Sequence, residues 1–252
     1  VHVRAGRDGS GRSLDPERFT ILSDELGSPA AVRIRRGTRL EVGDVVGTVN
    51  RFAHVHLGIG PRSGDVNVLR FSLDGFSDRV PPTIPPRGIS LFDETGTELR
   101  PTRARFVASG RVAIVAEAWD RVDGNRRSRR LGGYRIGYQV LRRDGLPAPG
   151  FDEPRMTMEF DRLPATTDAG SIVYAEGSGI RAYGSRVTRF RYVVTNEVRD
   201  GRASAGWWDT SRLPPGEYRV RVVAGDISGN TVSRDVAVTI VPSAAAPSPI
   251  SR

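Results

Sequence analysis

The sequence predicts an all-β protein, and three observations support that fold class. Apolar and polar side chains alternate along several segments, a period of two that places one face of a strand in a core and the other in water. Gly, Pro, Asn and Asp interrupt these segments about every eight to twelve residues. Helix signals are scarce: the one expected helical turn covers residues 14–19, with Asp15 as its N-cap and Pro16 in its first position.

Six segments are predicted to be strands because they combine this alternation with β-branched residues. They cover residues 31–36, 111–119, 134–141, 189–194, 217–223 and 236–241. Four prolines within residues 81–86 are incompatible with a central strand and favour an extended spacer. We therefore expect a first unit over residues 1–78, a second unit over residues 79–241 with insertions around residues 121–133 and 144–185, and a disordered Pro/Ala/Ser tail over residues 242–252.

Composition excludes several functions. The chain has 252 residues, a formal net charge of +9 and no cysteine, so a disulfide scaffold, a thiol nucleophile and a thiolate metal site are excluded. No apolar run approaches the roughly 18–20 residues that a transmembrane helix needs. All 38 basic residues are arginine, and their excess centres on Arg126–Arg130. We interpret that run as a solvated loop and predict no nucleic-acid partner; DNA binding would rest on this run alone.

The chain contains three histidines, His2, His54 and His56. On a strand, His54 and His56 would point to one face with Cα atoms about 6.6–6.8 Å apart. Two imidazoles in that arrangement can share a metal, or one can bind the metal while the other transfers protons. A polar strand face that happens to hold two histidines is the alternative interpretation of the pair alone.

The residues around the histidine pair follow an order found in a known family. Residues 34–49 contain short strand-like segments separated by glycines, with a Gly43-Asp44 turn, and residues 67–71 follow the pair as an exit segment. This order resembles the "V..GD.VG.V … H.H" ending of the lysostaphin/LytM-type zinc metallopeptidases, over roughly residues 1–71. The resemblance implies a β-rich peptidase domain of the duplicated hybrid motif type, of which this chain holds the C-terminal half.

The resemblance also implies roles for the three histidines. His56 would bind zinc, His54 would act as general acid/base on the metal-bound water, and His2 would assist the tetrahedral intermediate. Zinc held by imidazole lowers the pKa of its water to about 7, so a neutral histidine nearby can take that proton. The family's remaining His and Asp ligands are expected upstream of residue 1, so the fragment alone is expected to be inactive.

Two departures from the family pattern keep a second interpretation open. Residues 6–31 lengthen the stretch between His2 and His54 and are interpreted as an insertion, and the family's glycine-rich approach to the histidines is replaced by residues 49–53. A degenerate, non-catalytic envelope protein that binds peptidoglycan or a protein partner is therefore the alternative to a peptidase.

The second unit has its own signature. Residues 215–241 contain Tyr218, Asp226 and a Gly229-Asn230 pair in an order that resembles the closing hairpin of bacterial immunoglobulin-like and fibronectin-III-like modules. Residues 116–125 repeat the turn pattern. The resemblance predicts a β-sandwich, a fold that hosts many unrelated functions.

Three further groups of residues suggest other sites. Asp120, Asp123, Asn125, Asp226 and Asn230 could bind calcium, although hairpin turns explain them more simply. Trp207-Trp208 could form a carbohydrate platform or pack on a sandwich edge. Glu159 and Asp161 could be a glycosidase pair, but the sequence places no partner at the required separation.

The resemblance of residues 1–71 implies a zinc metalloendopeptidase of the bacterial cell envelope, exported to the periplasm or beyond. Its substrates would be peptidoglycan peptides or a protein, cleaved by metal-activated water. The sequence leaves the scissile bond and the oligomeric state open.

Overall fold

The computed structural model describes residues 3–49, 59–60, 64–71, 73–125, 129–179 and 188–242. Strands dominate this part of the chain, which confirms the all-β class. The helical elements in it are one α-helix, α1 (Ala169–Val173), and the 3-10 turns Val68–Arg70 and Thr210–Arg212. Over the same residues, no helix has the length and apolar character needed to cross a membrane. The chain forms two compact units, Val1–Gly58 and Ile59–Arg252.

The first unit contains two small antiparallel sheets. Its strands are β1 (Val3–Ala5), β2 (Phe19–Ser23), β3 (Pro29–Ile34) and β4 (Gly47–Val49). β1 pairs with β4, and β2 pairs with β3. The predicted insertion is therefore largely the β2–β3 hairpin and the turn that precedes it.

That turn begins at Asp15, as predicted. The Asp15 carboxylate accepts the backbone N–H groups of Glu17 and Arg18 at 3.0 and 3.2 Å. The N–H of Phe19 donates to the Asp15 carbonyl at 2.8 Å, which closes a single helical turn. Phe19 is buried against Gly6, whose φ is +62° and whose Cβ, if present, would lie 2.7 Å from the Phe19 ring. Glycine is therefore needed there on two grounds.

The second unit contains eleven described strands. They are β5 (Ile89–Asp93), β6 (Arg105–Ala108), β7 (Arg111–Glu117), β8 (Arg135–Arg142), β9 (Arg155–Glu159), β10 (Arg191–Val193), β11 (Glu197–Arg199), β12 (Arg202–Ser204), β13 (Trp208–Asp209), β14 (Gly216–Gly225) and β15 (Thr231–Ile240). The predicted insertion over residues 144–185 is wrong in part, because β9 is an inner strand of the larger sheet.

These strands form two sheets that enclose one apolar core. The larger sheet has the order β12-β11-β9-β8-β14-β15-β6, and in the smaller one β7 pairs with β10, β13 and β5. Alternate residues of β7 (Val112, Ile114) and of β14 (Val220, Val222) are fully buried and belong to the same cluster. This is the arginine-out, apolar-in alternation that the sequence predicted.

The boundary between the units lies before the predicted one. Residues 64–71 belong to the second unit: the N–H of Asn67 donates to the Asp161 carbonyl at 2.7 Å, and Arg70 pairs with the Asp161 carboxylate at 3.2 Å. The proline segment also belongs to this unit. Thr83 exchanges backbone hydrogen bonds with Trp119 at 2.7 and 3.1 Å, and Ile84 is 2% exposed. The prolines that precede and follow Thr83 have no N–H to donate, but Thr83 does. The segment therefore pairs with Trp119 at that residue.

A two-residue turn before β6 should be strained. Arg103 and Ala104 have φ values of 50° and 62°, a conformation that suits Asn-Gly and costs other residues about 1–2 kcal/mol each. We expect Ala104→Gly to raise the free energy of unfolding by up to about 1 kcal/mol. Ala237→Gly, the same change in extended β15, should lower it by about 0.5–1 kcal/mol. Urea denaturation measures both; a loss of stability in Ala104→Gly would contradict the prediction.

Candidate functional site

The three predicted histidines, His2, His54 and His56, lie outside the described residues. The described strands next to them are informative nevertheless. In the antiparallel β1–β4 pair, Val3 lies opposite Val49 and Ala5 opposite Gly47. The chain that precedes Val3 and the chain that follows Val49 therefore leave the ladder at the same end.

The Gly43-Asp44 turn is present. Gly43 has a φ of +97°, and the N–H of Asp44 donates to the Glu41 carbonyl at 3.1 Å. The Asp44 carboxylate accepts the N–H of Glu41 at 3.0 Å and the Arg18 guanidinium at 2.6 Å, and these two hydrogen bonds lower the pKa of Asp44. Asp44 therefore stabilises the turn and the insertion that packs on it, and we assign it no ligand role.

The second unit contains a cluster of buried carboxylates. Asp78, which precedes the proline segment, Asp120, which follows β7, and Asp226, which opens the β14–β15 turn, have carboxylate oxygens within 4.8 Å of one another. Their exposed fractions are 9, 6 and 3%. We call these three residues the aspartate cluster.

Asn230 connects two members of the aspartate cluster. The Asp226 carboxylate accepts the Asn230 backbone N–H at 2.8 Å and its side-chain amide at 2.7 Å, and the same amide donates to the Asp78 carbonyl at 3.0 Å. The predicted hairpin-turn role of Asp226 and Asn230 is therefore confirmed. The Asp120 carboxylate accepts the N–H of Arg121 at 2.8 Å.

The cluster is electrostatically unfavourable when it is fully ionised. Burial raises the pKa of Asp120 to about 6, and the charges of Asp226 and Asp78 add to that effect. Carboxylate oxygens are the donors that Ca²⁺ and other hard cations take, whereas the zinc site predicted at His56 uses imidazole. The cluster therefore offers hard-cation ligands, of a different class from the imidazole ligand predicted at His56 and in line with the calcium alternative considered for Asp120 and Asp226.

Sequence reasoning found only part of this cluster. It named Asp120 and Asp226, but it made Asp78 the last residue of the first unit and gave it no role. Asp123 is not a member, because it pairs with Arg79 at 3.2 Å. The sequence contained one clue to Asp78, its position just before the proline segment. The structure shows that this segment packs along the sandwich, which brings Asp78 to the cluster.

The two adjacent tryptophans have different environments. Trp208 is 2% exposed and pairs through β13 with Val112, so packing explains it. Trp207 is 41% exposed and lines a groove on the outer face of the smaller sheet. Packing therefore explains Trp208, whereas a carbohydrate platform at Trp207 stays a prediction.

The Glu159–Asp161 pair has structural partners. The Tyr134 hydroxyl donates to Glu159 at 3.2 Å, and Asp161 pairs with Arg70 at 3.2 Å and with Arg162 at 3.7 Å. These contacts attach residues 64–71 to the sandwich, and nothing in them supports glycosidase chemistry.

The arginine run is partly described. Residues 126–128 lie outside the described part, whereas the Arg130 guanidinium lies 3.6 Å from the centre of the Trp119 ring and 3.4 Å from a Glu117 carboxylate oxygen. Arg189 pairs with the other Glu117 oxygen at 2.7 Å. Arg130 therefore packs on the sandwich, which supports a structural role for the described end of the run.

No family model, no curated protein and no solved structure matches this chain. Functional inference therefore depends on the residues and contacts described above.

Proposed function

We propose that the chain is part of an exported zinc metalloendopeptidase that hydrolyses peptide bonds of peptidoglycan in the bacterial cell envelope. The order of glycine turn, histidine pair and exit segment is the sequence basis of the proposal. The observation that supports it most is the β1–β4 pairing, because Val3, next to His2 in the sequence, and Val49, which precedes the histidine pair, lie opposite each other in that ladder. The well-formed Gly43-Asp44 turn is a second feature that the family pattern requires.

In this proposal each histidine has a distinct role. Zinc, when bound by His56 and by ligands from elsewhere in the protein, would lower the pKa of a bound water and polarise the carbonyl of the substrate peptide. His54 would take the proton from the attacking water and return it to the leaving amine. His2 would donate a hydrogen bond to the oxyanion. Imidazole is a ligand that zinc prefers, so the residue types fit the ion.

Three alanine variants of the full-length protein test these roles. His56→Ala should lose zinc and hydrolysis together. His54→Ala should keep zinc but lose about 100-fold or more in kcat/KM, because general acid/base catalysis contributes about 10²–10⁴-fold. His2→Ala should keep zinc and lose a smaller factor. Metal analysis and peptide-bridge cleavage measure both properties, and unchanged zinc and activity in His56→Ala would exclude the assignment.

A non-catalytic envelope protein is the second candidate. The observation that favours it is the replacement of the family's glycine-rich approach to the histidines by residues 49–53. In that case the full-length protein would bind sacculi without zinc and without cleaving them. A sedimentation assay with purified sacculi, run with and without a chelator, separates the two candidates.

For the second unit we propose an immunoglobulin-like sandwich. Two features support the proposal beyond the two-sheet core. The last strand, β15, pairs in parallel with β6, and the Tyr218 hydroxyl donates to the Pro214 carbonyl at 2.9 Å. A tyrosine that bonds the backbone a few residues upstream is a recurrent feature of immunoglobulin-like folds.

A further inference from the structure

A groove of about 540 Å³ crosses the outer face of the smaller sheet. Its floor consists of short apolar side chains, Ala113 and Val115 of β7 and Val193 of β10, and Val193 lies directly beside Val115 in the ladder. Because side chains alternate along a strand, these residues face away from the core, into which Ile114 and Tyr192 project. The floor of the groove is therefore apolar and consists of short side chains.

Aromatic side chains form two walls of the groove. Phe92 of β5 lies beside Ala113, and Trp207 precedes β13. The backbone that bears Trp207 is held on both sides. On one side the Gly206 N–H donates to the Asn196 side chain at 2.9 Å; on the other, Trp208 is anchored in the core. The aromatic wall is therefore pre-formed.

Three carboxylates line the groove: Asp93, Glu98 and Glu176. The Asp93 carboxylate accepts the Thr95 hydroxyl and the N–H groups of Thr95 and Thr97 at 2.6–2.9 Å, which lowers the pKa of Asp93 and keeps it ionised.

None of the three groove carboxylates has an arginine within ion-pair distance among the described residues, a property that they share with most acidic side chains of the chain. Glu117, Asp161 and Glu217, by contrast, each have two arginine partners. Arg191, the one arginine that lines the groove in the described part of the chain, donates to the Glu176 backbone carbonyl. Negative charge thus gathers in one groove of a chain in which arginines outnumber acids, 38 to 29.

We propose that this groove binds the cationic side chain of an extended peptide, with the ammonium or guanidinium group between Trp207, Phe92 and the carboxylates. Aromatic faces and carboxylates both stabilise such cations. Among the described lining residues, three carboxylates face one arginine, so the charge of the groove suits a cation better than a neutral sugar. The proposal is independent of the peptidase function of the first unit.

The three tryptophans provide a direct test. In an NMR titration with the capped tripeptide Ala-Lys-Ala, the indole N–H resonance of Trp207 should shift, while those of Trp119 and Trp208 should not. Trp207→Phe assigns the resonance by removing it. The matched peptide with acetylated lysine should bind at least about tenfold more weakly, because acetylation removes the charge. Higher salt should weaken binding of the charged peptide.

Charge-neutral variants test the carboxylates. Glu98→Gln combined with Glu176→Gln should weaken binding about fivefold to tenfold, since two exposed charges are lost. Glu94→Gln changes an exposed carboxylate that does not line the groove and should leave binding unchanged. A Trp207 resonance that does not respond to the lysine peptide overturns the proposal. So does a response to N-acetylglucosamine oligomers alone, which would assign the groove to a glycan.

Discussion

Gly137→Ala is expected to lower the free energy of unfolding of the sandwich by about 3 kcal/mol. Gly137 is buried in β8, between β14 and β9, where the register with β9 shifts. A Cβ at this position would overlap the Arg155 carbonyl oxygen and lie 2.6 Å from the Met156 Cα. Because these neighbours are backbone atoms, β8 and β9 would have to separate, which breaks hydrogen bonds in the middle of the larger sheet.

Gly170→Ala is the matched control. Gly170 is exposed in α1, and a Cβ there would meet no atom within 4 Å, so alanine should be neutral or stabilising by up to about 1 kcal/mol. Urea denaturation followed by tryptophan fluorescence reports on the second unit, which contains all three tryptophans. Equal urea midpoints for Gly137→Ala and the unsubstituted chain would contradict the close approach of β8 and β9 at Gly137.

Asp120→Asn is expected to stabilise the protein at neutral pH. The pKa of Asp120 is about 6 in the folded state against 3.8 for an unperturbed aspartate. The folded state therefore retains a proton that the unfolded state has lost. Stability from this group is complete below about pH 4 and is lost as the pH rises through 6. A shift of that size corresponds to roughly 2–3 kcal/mol, which the neutral amide should restore at pH 7.

The measurement is the difference in unfolding free energy between Asp120→Asn and the unsubstituted chain from pH 4 to 7.5, in the presence of a chelator. That difference should grow between about pH 4 and pH 6 and level off above pH 6. Asp123→Asn is the control, because its partner Arg79 is exposed and the pair should contribute little at any pH. A flat difference for Asp120→Asn would contradict the raised pKa.

The same unfolding measurement can be repeated with calcium added. If a cation occupies the aspartate cluster, millimolar CaCl₂ at pH 7 should stabilise the unsubstituted chain and should do so much less for Asp120→Asn. An equal calcium response in both proteins would place the bound ion elsewhere.

Much of the fold could be predicted because its pattern is local. The β-branched, apolar-rich pattern predicted β7, β8 and β14 to within two residues at each end. The β14–β15 turn was predicted from Asp226 and Asn230. The short strands β11, β12 and β13 were not predicted, since two or three residues show no period.

Contacts between distant segments could not be predicted. The proline segment was interpreted as a spacer because proline disfavours central strands, but Thr83 still pairs with Trp119. That same pairing explains how Asp78 reaches Asp120 and Asp226. The groove beside Trp207 depends on three strands and two turns, so the Trp-Trp pair indicated an aromatic surface without showing which residue would form it. The histidine roles stay predictions, because those residues lie outside the described part.

The outer strands of the larger sheet affect whether neighbouring copies of the chain can join edge to edge. In the described part of the chain its borders are β6 and β12, four and three residues long, and each begins with an arginine. Short, positively charged borders are poor templates for a strand from another chain. Neighbouring copies concentrated on one surface should therefore remain separate molecules instead of fusing their sheets into aggregates.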